Sequence, residues 1–213
     1  MKNSTIIILD FGSQYTQLIA RRVREIGVFS VVLPCDVSIE KIESMNPSGI
    51  ILSGGPETVT QANTSKINKE LFNFQIPLLG ICYGMQTMAQ ELGGMVINSD
   101  KREFGYANIR RVEDSILFDD VNFSNDTLDV WMSHGDKVDQ LPDSFSTIAE
   151  SDNCAIAAFQ NKEKLWFGLQ FHPEVTHTDQ GSKILSNFVY TICKCEKNWE
   201  TSDIIESMVS SVT

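Results

Sequence analysis

Short, continuously apolar runs alternate with stretches of helical periodicity along the first half of the chain. Thr5–Leu9 is β-branched and apolar throughout, which is typical of a strand buried on both faces of a sheet. In Tyr15–Ile26 the apolar residues recur at helical spacing instead, and Gly27 follows where a helix C-cap belongs. Strands and helices in alternation are joined by right-handed crossovers, so this pattern predicts an α/β fold with a parallel sheet.

Further elements are expected at similar spacing. The predicted strands of the first half also include Phe29–Leu33, Gly49–Leu52 and Pro77–Ile81, and the predicted helices Ile39–Met45 and Tyr83–Leu92. From Val96 to Phe171 the apolar runs are shorter and turn residues separate them, which predicts antiparallel strands such as Leu128–Met132 and Leu165–Phe171. A helix over Gly181–Cys193 closes the pattern. We therefore expect an open, mostly parallel, doubly wound (flavodoxin-like) sheet with antiparallel strands added in the second half.

The end of the chain differs from the rest. Residues 196–213 are amphipathic and come after the core of a domain spanning residues 1–195 should be complete. They would form either a terminal helix or a helical linker to a further domain, and their position favours the linker.

The composition argues against several classes of function. A net charge of −11, from 28 acidic and 17 basic residues, repels phosphate backbones and anionic lipid, so neither nucleic acid nor a membrane surface is an expected partner. No apolar run approaches the roughly 20 residues of a membrane helix, and no secretory signal is apparent at the amino terminus. We expect a cytoplasmic protein.

The five cysteines are an odd number at irregular spacing, which argues against a disulfide framework. Cys193 and Cys195 lie two residues apart, but no histidine is near them in the sequence. Together with the three histidines, the cysteines complete no four-ligand zinc pattern, so no metal site is expected.

The segment Gly80-Ile81-Cys82-Tyr83-Gly84 joins a predicted buried strand to a predicted helix. It has the pattern of a nucleophile elbow, with cysteine in place of serine. A strained turn would expose the sulfur, flanking glycines would let strand and helix approach closely, and the helix N-terminus would favour the thiolate. A buried structural cysteine between small residues is the alternative, and this segment by itself leaves both open.

Ser53-Gly54-Gly55-Pro56 directly follows the third predicted strand. Adjacent glycines at the carboxyl end of such a strand can present backbone N–H groups to the crevice where open α/β sheets bind ligands. The N–H groups of Gly55 and Tyr83 would then form an oxyanion hole. A tight turn without a ligand is the alternative for this motif.

His172-Pro173-Glu174 follows the predicted strand Leu165–Phe171. A thiolate that attacks an amide needs a general acid for the departing amine, and histidine is suited to this near neutral pH. A carboxylate two residues on, held by Pro173, can accept a hydrogen bond from the other ring nitrogen and orient the ring. Together with an elbow cysteine, this motif completes a candidate Cys–His–Glu triad.

At these residues the chain resembles the class I (triad) glutamine amidotransferases. The family's Gly-x-Cys-x-Gly-x-Gln elbow corresponds to residues 80–86, and its distant His-Pro-Glu to residues 172–174. The resemblance covers about Ile6 to Val209 and is strongest to a branch in which the amidotransferase is joined to a synthetase. The blocks that match this branch are residues 9–18, 53–57, 102–106, 131–136 and 172–178.

The resemblance implies a role for each matching residue. Cys82 would attack the side-chain amide of L-glutamine to form a glutamyl thioester, and His172 with Glu174 would transfer protons. The glutamine pocket would be lined by Gln86, Ser133, Gly135 and Asp136. A carboxylate such as Asp136 is also a natural partner for the ammonium group of a free amino acid.

In this branch of the family, the ammonia passes to a carboxy-terminal synthetase domain that aminates a purine nucleotide with ATP and Mg²⁺. By the resemblance, the present chain needs no cofactor, and the synthetase domain and a homodimer belong to a longer polypeptide. The blocks around Gln14 and Asp136 favour this branch. The alternatives are the glutaminase subunit of another synthetase, such as anthranilate or carbamoyl-phosphate synthase, and a non-catalytic regulatory module of the same fold.

Overall fold

The computed structural model describes residues 4–56 and 67–200, apart from the side chains of residues 100–102. Within these residues, nine strands form one mixed sheet with helices on both faces. In chain order the strands are β1 Thr5–Asp10, β2 Phe29–Pro34, β3 Gly49–Leu52, β4 Leu78–Ile81, β5 Met95–Arg111, β6 Thr127–Gln140, β7 Ser146–Ser151, β8 Ala158–Asn161 and β9 Trp166–Leu169. The helices are α1 Thr16–Glu25, α2 Ile39–Met45, α3 Tyr83–Glu91 and α4 Gly181–Ser186, with 3-10 turns at Lys69–Asn73 and Ile116–Phe118 and a π turn at Asn187–Ile192.

The sheet has the order β2-β1-β3-β4-β9-β8-β7-β5-β6. Strands β2, β1, β3, β4 and β9 pair in parallel, whereas every later pairing is antiparallel. The parallel part has the flavodoxin-like order, in which ligands bind at the carboxyl ends of the strands. The predicted fold class is confirmed.

The apolar strands serve two cores, one on each face of the sheet. In β1, Ile6 and Ile8 pack with residues of α1 and α4, whereas Ile7 and Leu9 pack with residues of α2 and α3. Because successive side chains of a strand point to opposite faces, a strand covered on both sides is apolar at every position. This is the reason why Thr5–Leu9 shows no alternation of apolar and polar residues.

The antiparallel half differs from the prediction in strand length. The longest strands of the described residues are β5, with 17 residues, and β6, with 14, and they pair as one long ribbon. The ribbon has an exposed face, on which Phe104 and Tyr106 are 68% and 69% exposed, so polar residues occur within its strands without ending them. The prediction that a strand ends at Met132 is wrong, because β6 continues through Ser133–Asp136.

The carboxy-terminal part of the domain packs back on its beginning. The predicted helix over Gly181–Cys193 is α-helical in α4 and continues as the π turn. Gly27 ends α1 with a positive φ of 95°, as its predicted C-cap role requires, and its carbonyl accepts from the N–H groups of Asn198 and Trp199. Residues 196–200 are irregular, and residues 201–213, where the linker helix was predicted, lie outside the described residues.

The helices of the sheet's two faces are short. Over residues 4–56 and 67–200, no helix combines the length and apolarity needed to cross a lipid bilayer.

Candidate active site

Cys82 occupies a strained turn between β4 and α3. Its φ of 51° and ψ of −107° are unusual for a residue other than glycine. The backbone N–H of Cys82 donates to the carbonyl of Leu169 on β9 at 2.7 Å, which holds the turn to the sheet. A Cβ atom at Gly84 would collide with the carbonyl of Leu52, and one at Gly80 would lie 2.7 Å from the backbone of α3. The predicted elbow geometry is therefore present, and it requires both glycines.

His172 and Glu174 form a buried pair beyond the end of β9. The Nδ1 atom of His172 lies 2.8 Å from Oε1 of Glu174, and the two side chains are 5% and 0% exposed. The N–H of His172 donates to the carbonyl of Trp131, and the hydroxyl of Thr178 donates to the carbonyl of His172. The two backbone bonds hold the main chain of His172, and Glu174 holds its ring. The histidine is therefore fixed in one orientation, as a catalytic histidine must be.

The charge state of His172 follows from three influences. Burial by itself would lower the pKa of His172, because it disfavours the charged ring. The charge of Glu174 and a hydrogen bond with Cys82 outweigh burial and hold the pKa of His172 well above its ordinary value. The protonated ring is thus the stable form, which suits a thiolate–imidazolium pair with Cys82.

The loop after β3 lies against both the elbow and the histidine. A Cβ atom at Gly55 would be 3.1 Å from the ring of Tyr83, and one at Gly54 would be 3.3 Å from Cε1 of His172. A side chain at either position would require its neighbours to move by a few tenths of an ångström. The geometry thus brings Gly55 beside Tyr83, as the predicted oxyanion hole requires.

The family described as glutamine amidotransferase class-I matches residues 7–192. The chain belongs to this family.

Curated relatives of this amidotransferase carry a more specific name. A GMP synthase (glutamine-hydrolysing) of Ruthia magnifica subsp. Calyptogena magnifica is 57% identical over 208 residues, and one of Colwellia psychrerythraea is 55% identical over 212 residues. Each match covers 97% of the amidotransferase but 40% of the relative. The chain thus spans less than half the length of these relatives.

Solved structures show the same fold. A GMP synthase component of Thermoplasma acidophilum superposes with a TM-score of 0.76 at 29% identity, over 91% of the amidotransferase and 96% of that chain. A glutamine amidotransferase of Thermotoga maritima superposes with a TM-score of 0.67 at 22% identity, over 90% and 84% of the two chains.

Two side chains of the amidotransferase that were predicted to bind substrate are engaged with the protein itself. The Nε2 atom of Gln86 donates to the main-chain carbonyl of Asp136 at 2.7 Å and to Oε1 of Gln170 at 3.1 Å. The carboxylate of Asp136 accepts from Nδ2 of Asn98 at 3.0 Å, and the residue is 5% exposed. The substrate roles of Gln86 and Asp136 stay predictions.

Ser133 and Gly135 lie on the half-buried face of β6, opposite to the buried face that carries Asp136. The carbonyl oxygen of Ser133 lies 3.5 Å from Sγ of Cys82, so the backbone of this strand reaches the nucleophile. The substrate roles of Ser133 and Gly135 stay predictions.

Sequence reasoning missed Gln170. Its Nε2 atom lies 3.7 Å from Sγ of Cys82, and its Oε1 atom accepts from Gln86. A signal was available, because Gln170 is a buried polar residue at the end of the otherwise apolar run Leu165–Phe171. A polar side chain in such a run needs a partner, and here the partners belong to the site.

Sequence reasoning also missed a second cluster of the same residue types. Among the described residues, one group of three side chains has potential metal-ligand atoms within 4.8 Å of one another, namely Glu103, His134 and Cys154. Their separation along the chain left no local signal. The absence of a metal site stays a prediction.

Proposed function

We propose that this chain hydrolyses the side-chain amide of L-glutamine to glutamate and ammonia, with Cys82 as the nucleophile. The observation that carries the proposal is the strained elbow of Cys82 next to a histidine whose pKa is raised by a buried glutamate. A glutaminase needs a thiolate and a proton donor in contact at neutral pH, and this pair supplies both.

The reaction follows from the groups around Cys82. The thiolate attacks the amide carbon, and the N–H groups of Gly55 and Tyr83 stabilise the oxyanion that forms. His172, oriented by Glu174, gives its proton to the nitrogen, and the C–N bond breaks to release ammonia and leave a glutamyl thioester. The neutral His172 then takes a proton from water, whose oxygen attacks the thioester. Glutamate departs, and the thiolate–imidazolium pair is restored.

The consumer of the ammonia is proposed from the relatives. Their name supports ATP-dependent amination of XMP to GMP by a synthetase, as part of purine nucleotide biosynthesis. The synthetase would be a domain of the same polypeptide, as the 40% coverage of those relatives suggests, or a separate chain, as the coverage of the Thermoplasma acidophilum protein suggests. Glutamine-dependent formation of GMP, after a GMP synthetase domain, XMP, ATP and Mg²⁺ are added to this chain, tests the assignment.

Other parts of the proposal concern the surroundings of the enzyme. We propose no cofactor in this chain, with ATP and Mg²⁺ bound by the synthetase, and a homodimer for the full-length enzyme. Nucleic acid and membranes are not proposed as partners, since a net charge of −11 opposes both. All five cysteines lie outside any disulfide, which supports a location in the reducing cytoplasm.

Labelling of Cys82 tests the catalytic proposal. A glutamine-analogue diazoketone should alkylate Cys82, and Cys82→Ala should lose both labelling and glutamate release, with kcat lowered at least about 10⁴-fold. Cys35→Ala is a matched control, because Cys35 is a half-buried cysteine outside any disulfide and far from the elbow in sequence, and it should keep both properties. Glutaminase activity that persists in Cys82→Ala would refute the mechanism, and an unlabelled, inactive wild type would support the non-catalytic alternative.

A further inference from the structure

We infer that Glu103 and His134 are positioning residues of the glutaminase site, which act on Cys82 through a continuous series of buried hydrogen bonds. The inference rests on the proposed function, since it concerns how the nucleophile and the glutamine-binding strand are held. It concerns side chains that the triad chemistry does not use.

Glu103 and His134 face each other across the ribbon of β5 and β6, where they are paired in register. Oε2 of Glu103 lies 3.1 Å from Nε2 of His134, and the side chains are 9% and 2% exposed. Ser151 and Asn153 donate to the other carboxylate oxygen at 3.3 and 3.4 Å. The hydrogen bond from His134 lowers the pKa of Glu103 below its ordinary value in spite of burial, so the carboxylate is ionised.

The ring of His134 is held by two partners. Nδ1 lies 2.9 Å from the main-chain carbonyl oxygen of Asp136, which can only accept. Nε2 faces the ionised carboxylate of Glu103, which also only accepts. Both ring nitrogens of His134 therefore have an acceptor as their partner, which fixes the ring between β5 and the main chain of β6 at Asp136.

The carbonyl of Asp136 transmits this arrangement to α3. It also accepts from Nε2 of Gln86 at 2.7 Å, and this contact fixes which way the amide of Gln86 is turned. The same nitrogen donates to Oε1 of Gln170 at 3.1 Å. The nitrogen of Gln170 is thereby directed at Sγ of Cys82, 3.7 Å away. The series ends in an N–H donor at the sulfur, where it stabilises a thiolate.

The contact between Glu103 and His134 also holds the strand that passes the nucleophile. His134 lies between Ser133, whose carbonyl is 3.5 Å from Sγ of Cys82, and Gly135, which precedes Asp136. A shift of β6 at His134 would move both the carbonyl beside the sulfur and the carbonyl that orients Gln86. Because removal of His134 would leave the ionised carboxylate of Glu103 without this hydrogen-bond partner, such a shift is the expected response to losing it.

A metal ion is the competing explanation, because the thiol of Cys154 lies within 4.8 Å of the ligand atoms of Glu103 and His134. Burial raises the pKa of Cys154 to about 12, and its thiol donates to the carbonyl of Ile156 at 3.3 Å. A metal ion would have to displace the proton of this thiol and the proton between Glu103 and His134. The cluster is satisfied without one, because Glu103, His134 and the neutral thiol of Cys154 each have hydrogen-bond partners within the protein.

The test replaces His134 by asparagine or by leucine. Asparagine places an amide nitrogen near the position of Nδ1 and can donate to the carbonyl of Asp136, whereas leucine has similar bulk and no donor. We expect kcat/KM for glutamine to fall about 100-fold in His134→Leu, as for a misplacement of about 1 Å. His134→Asn should recover about tenfold of that loss, the effect of one hydrogen bond. The rate at which the diazoketone alkylates Cys82 should also fall, and it should fall further in His134→Leu than in His134→Asn.

Two further variants provide a second, independent test and a control. Glu103→Gln keeps the shape of the side chain and removes its charge, and it should lower kcat/KM about tenfold even if neither His134 variant folds. Asn187→Leu removes a buried amide that donates to the carbonyls of Leu117 and Asp119, and it should lower the melting temperature without changing kcat/KM.

The outcomes separate this inference from the proposed function. Equal kcat/KM in His134→Asn and His134→Leu would overturn the inference, and so would wild-type kcat/KM in a folded Glu103→Gln variant. Stoichiometric zinc in the purified wild type, with loss of activity on chelation, would overturn it in favour of a metal site. A wild type that neither hydrolyses glutamine nor reacts with the diazoketone would instead contradict the proposed function.

Discussion

Two clusters in the described residues each contain one cysteine, one histidine and one glutamate, namely Cys82–His172–Glu174 and Cys154–His134–Glu103. The first is buried, the second is buried apart from the half-buried Glu103, and in both the histidine is within hydrogen-bonding distance of the glutamate, at 2.8 Å and 3.1 Å. The residue types therefore do not distinguish a catalytic triad from a structural group. The difference lies in the backbone at the cysteine and in the partners of the histidine.

The two cysteines differ in what surrounds the sulfur. Cys82 is at the N-terminus of α3 in a strained conformation, and its sulfur has the side chain of Gln170 and the ring of His172 beside it. Cys154 is fully buried in the connection between β7 and β8, and its thiol proton is taken by the carbonyl of Ile156. Both sulfurs have a backbone carbonyl nearby, that of Ser133 for Cys82 and that of Ile156 for Cys154, but only Cys82 also has an amide donor and a histidine ring beside it.

The two histidines differ in whether one ring nitrogen remains available for proton transfer to the cysteine. Nδ1 of His172 is held by Glu174, so the other nitrogen is directed to Cys82. In His134, a backbone carbonyl takes Nδ1 and Glu103 takes Nε2, so no nitrogen remains to exchange a proton with Cys154. A triad needs one unoccupied nitrogen between carboxylate and nucleophile, and the second cluster lacks it.

Thiol reactivity should show the largest difference between the clusters. With a pKa of about 12, Cys154 is a thiolate in only about 1 of 10⁵ molecules at pH 7. Cys82, whose sulfur lies beside the protonated ring of His172, should react with iodoacetamide far faster than Cys154. Peptide mass spectrometry after timed labelling at pH 6, 7 and 8 measures both rates. Labelling of Cys154 at a rate like that of Cys82 in the folded protein would remove the distinction.

Loss of the orienting carboxylate should have the next largest effect. Glu174→Gln should lower kcat about 1,000-fold, because the ring of His172 would lose its charge partner and fixed tautomer. Since Glu174 raises the pKa of His172, its loss should also move the upper pH limit of activity downwards. Steady-state kinetics from pH 5 to 10 measure both changes. Glu113→Gln, at a surface ion pair with Lys162, is the control and should leave both unchanged.

Removal of the second cysteine should have the smallest effect. Cys154→Ala should leave kcat/KM within about twofold of the wild type and lower the free energy of unfolding by about 1 kcal/mol, as for the loss of one small buried side chain. Urea unfolding and glutaminase kinetics measure the two quantities. A collapse of activity in this variant would show that Cys154 belongs to the catalytic machinery, and the contrast between the clusters would fail.

The elements predicted most closely are those with local signals. Ile39–Met45 and Gly49–Leu52 have the bounds that periodicity and apolar runs predict, and the elbow at Cys82 lies where its flanking glycines place it. The lengths of β5 and β6 were missed, because their polar residues resemble turns until the strands are paired into a ribbon. The domain boundary at residue 195 stays a prediction.

From sequence alone, the parallel half of the fold, the family and the three residues of the candidate triad could be determined. Each of these depends on a contiguous stretch of sequence, such as residues 80–86 or 172–174, which predicts the same local structure whatever the rest of the chain does. Tertiary structure alone decided that Gln170 meets Cys82, 88 residues away, and that Glu103 meets His134, 31 residues away. Such contacts depend on strand register, where a slip of one residue turns every side chain to the opposite face of the sheet.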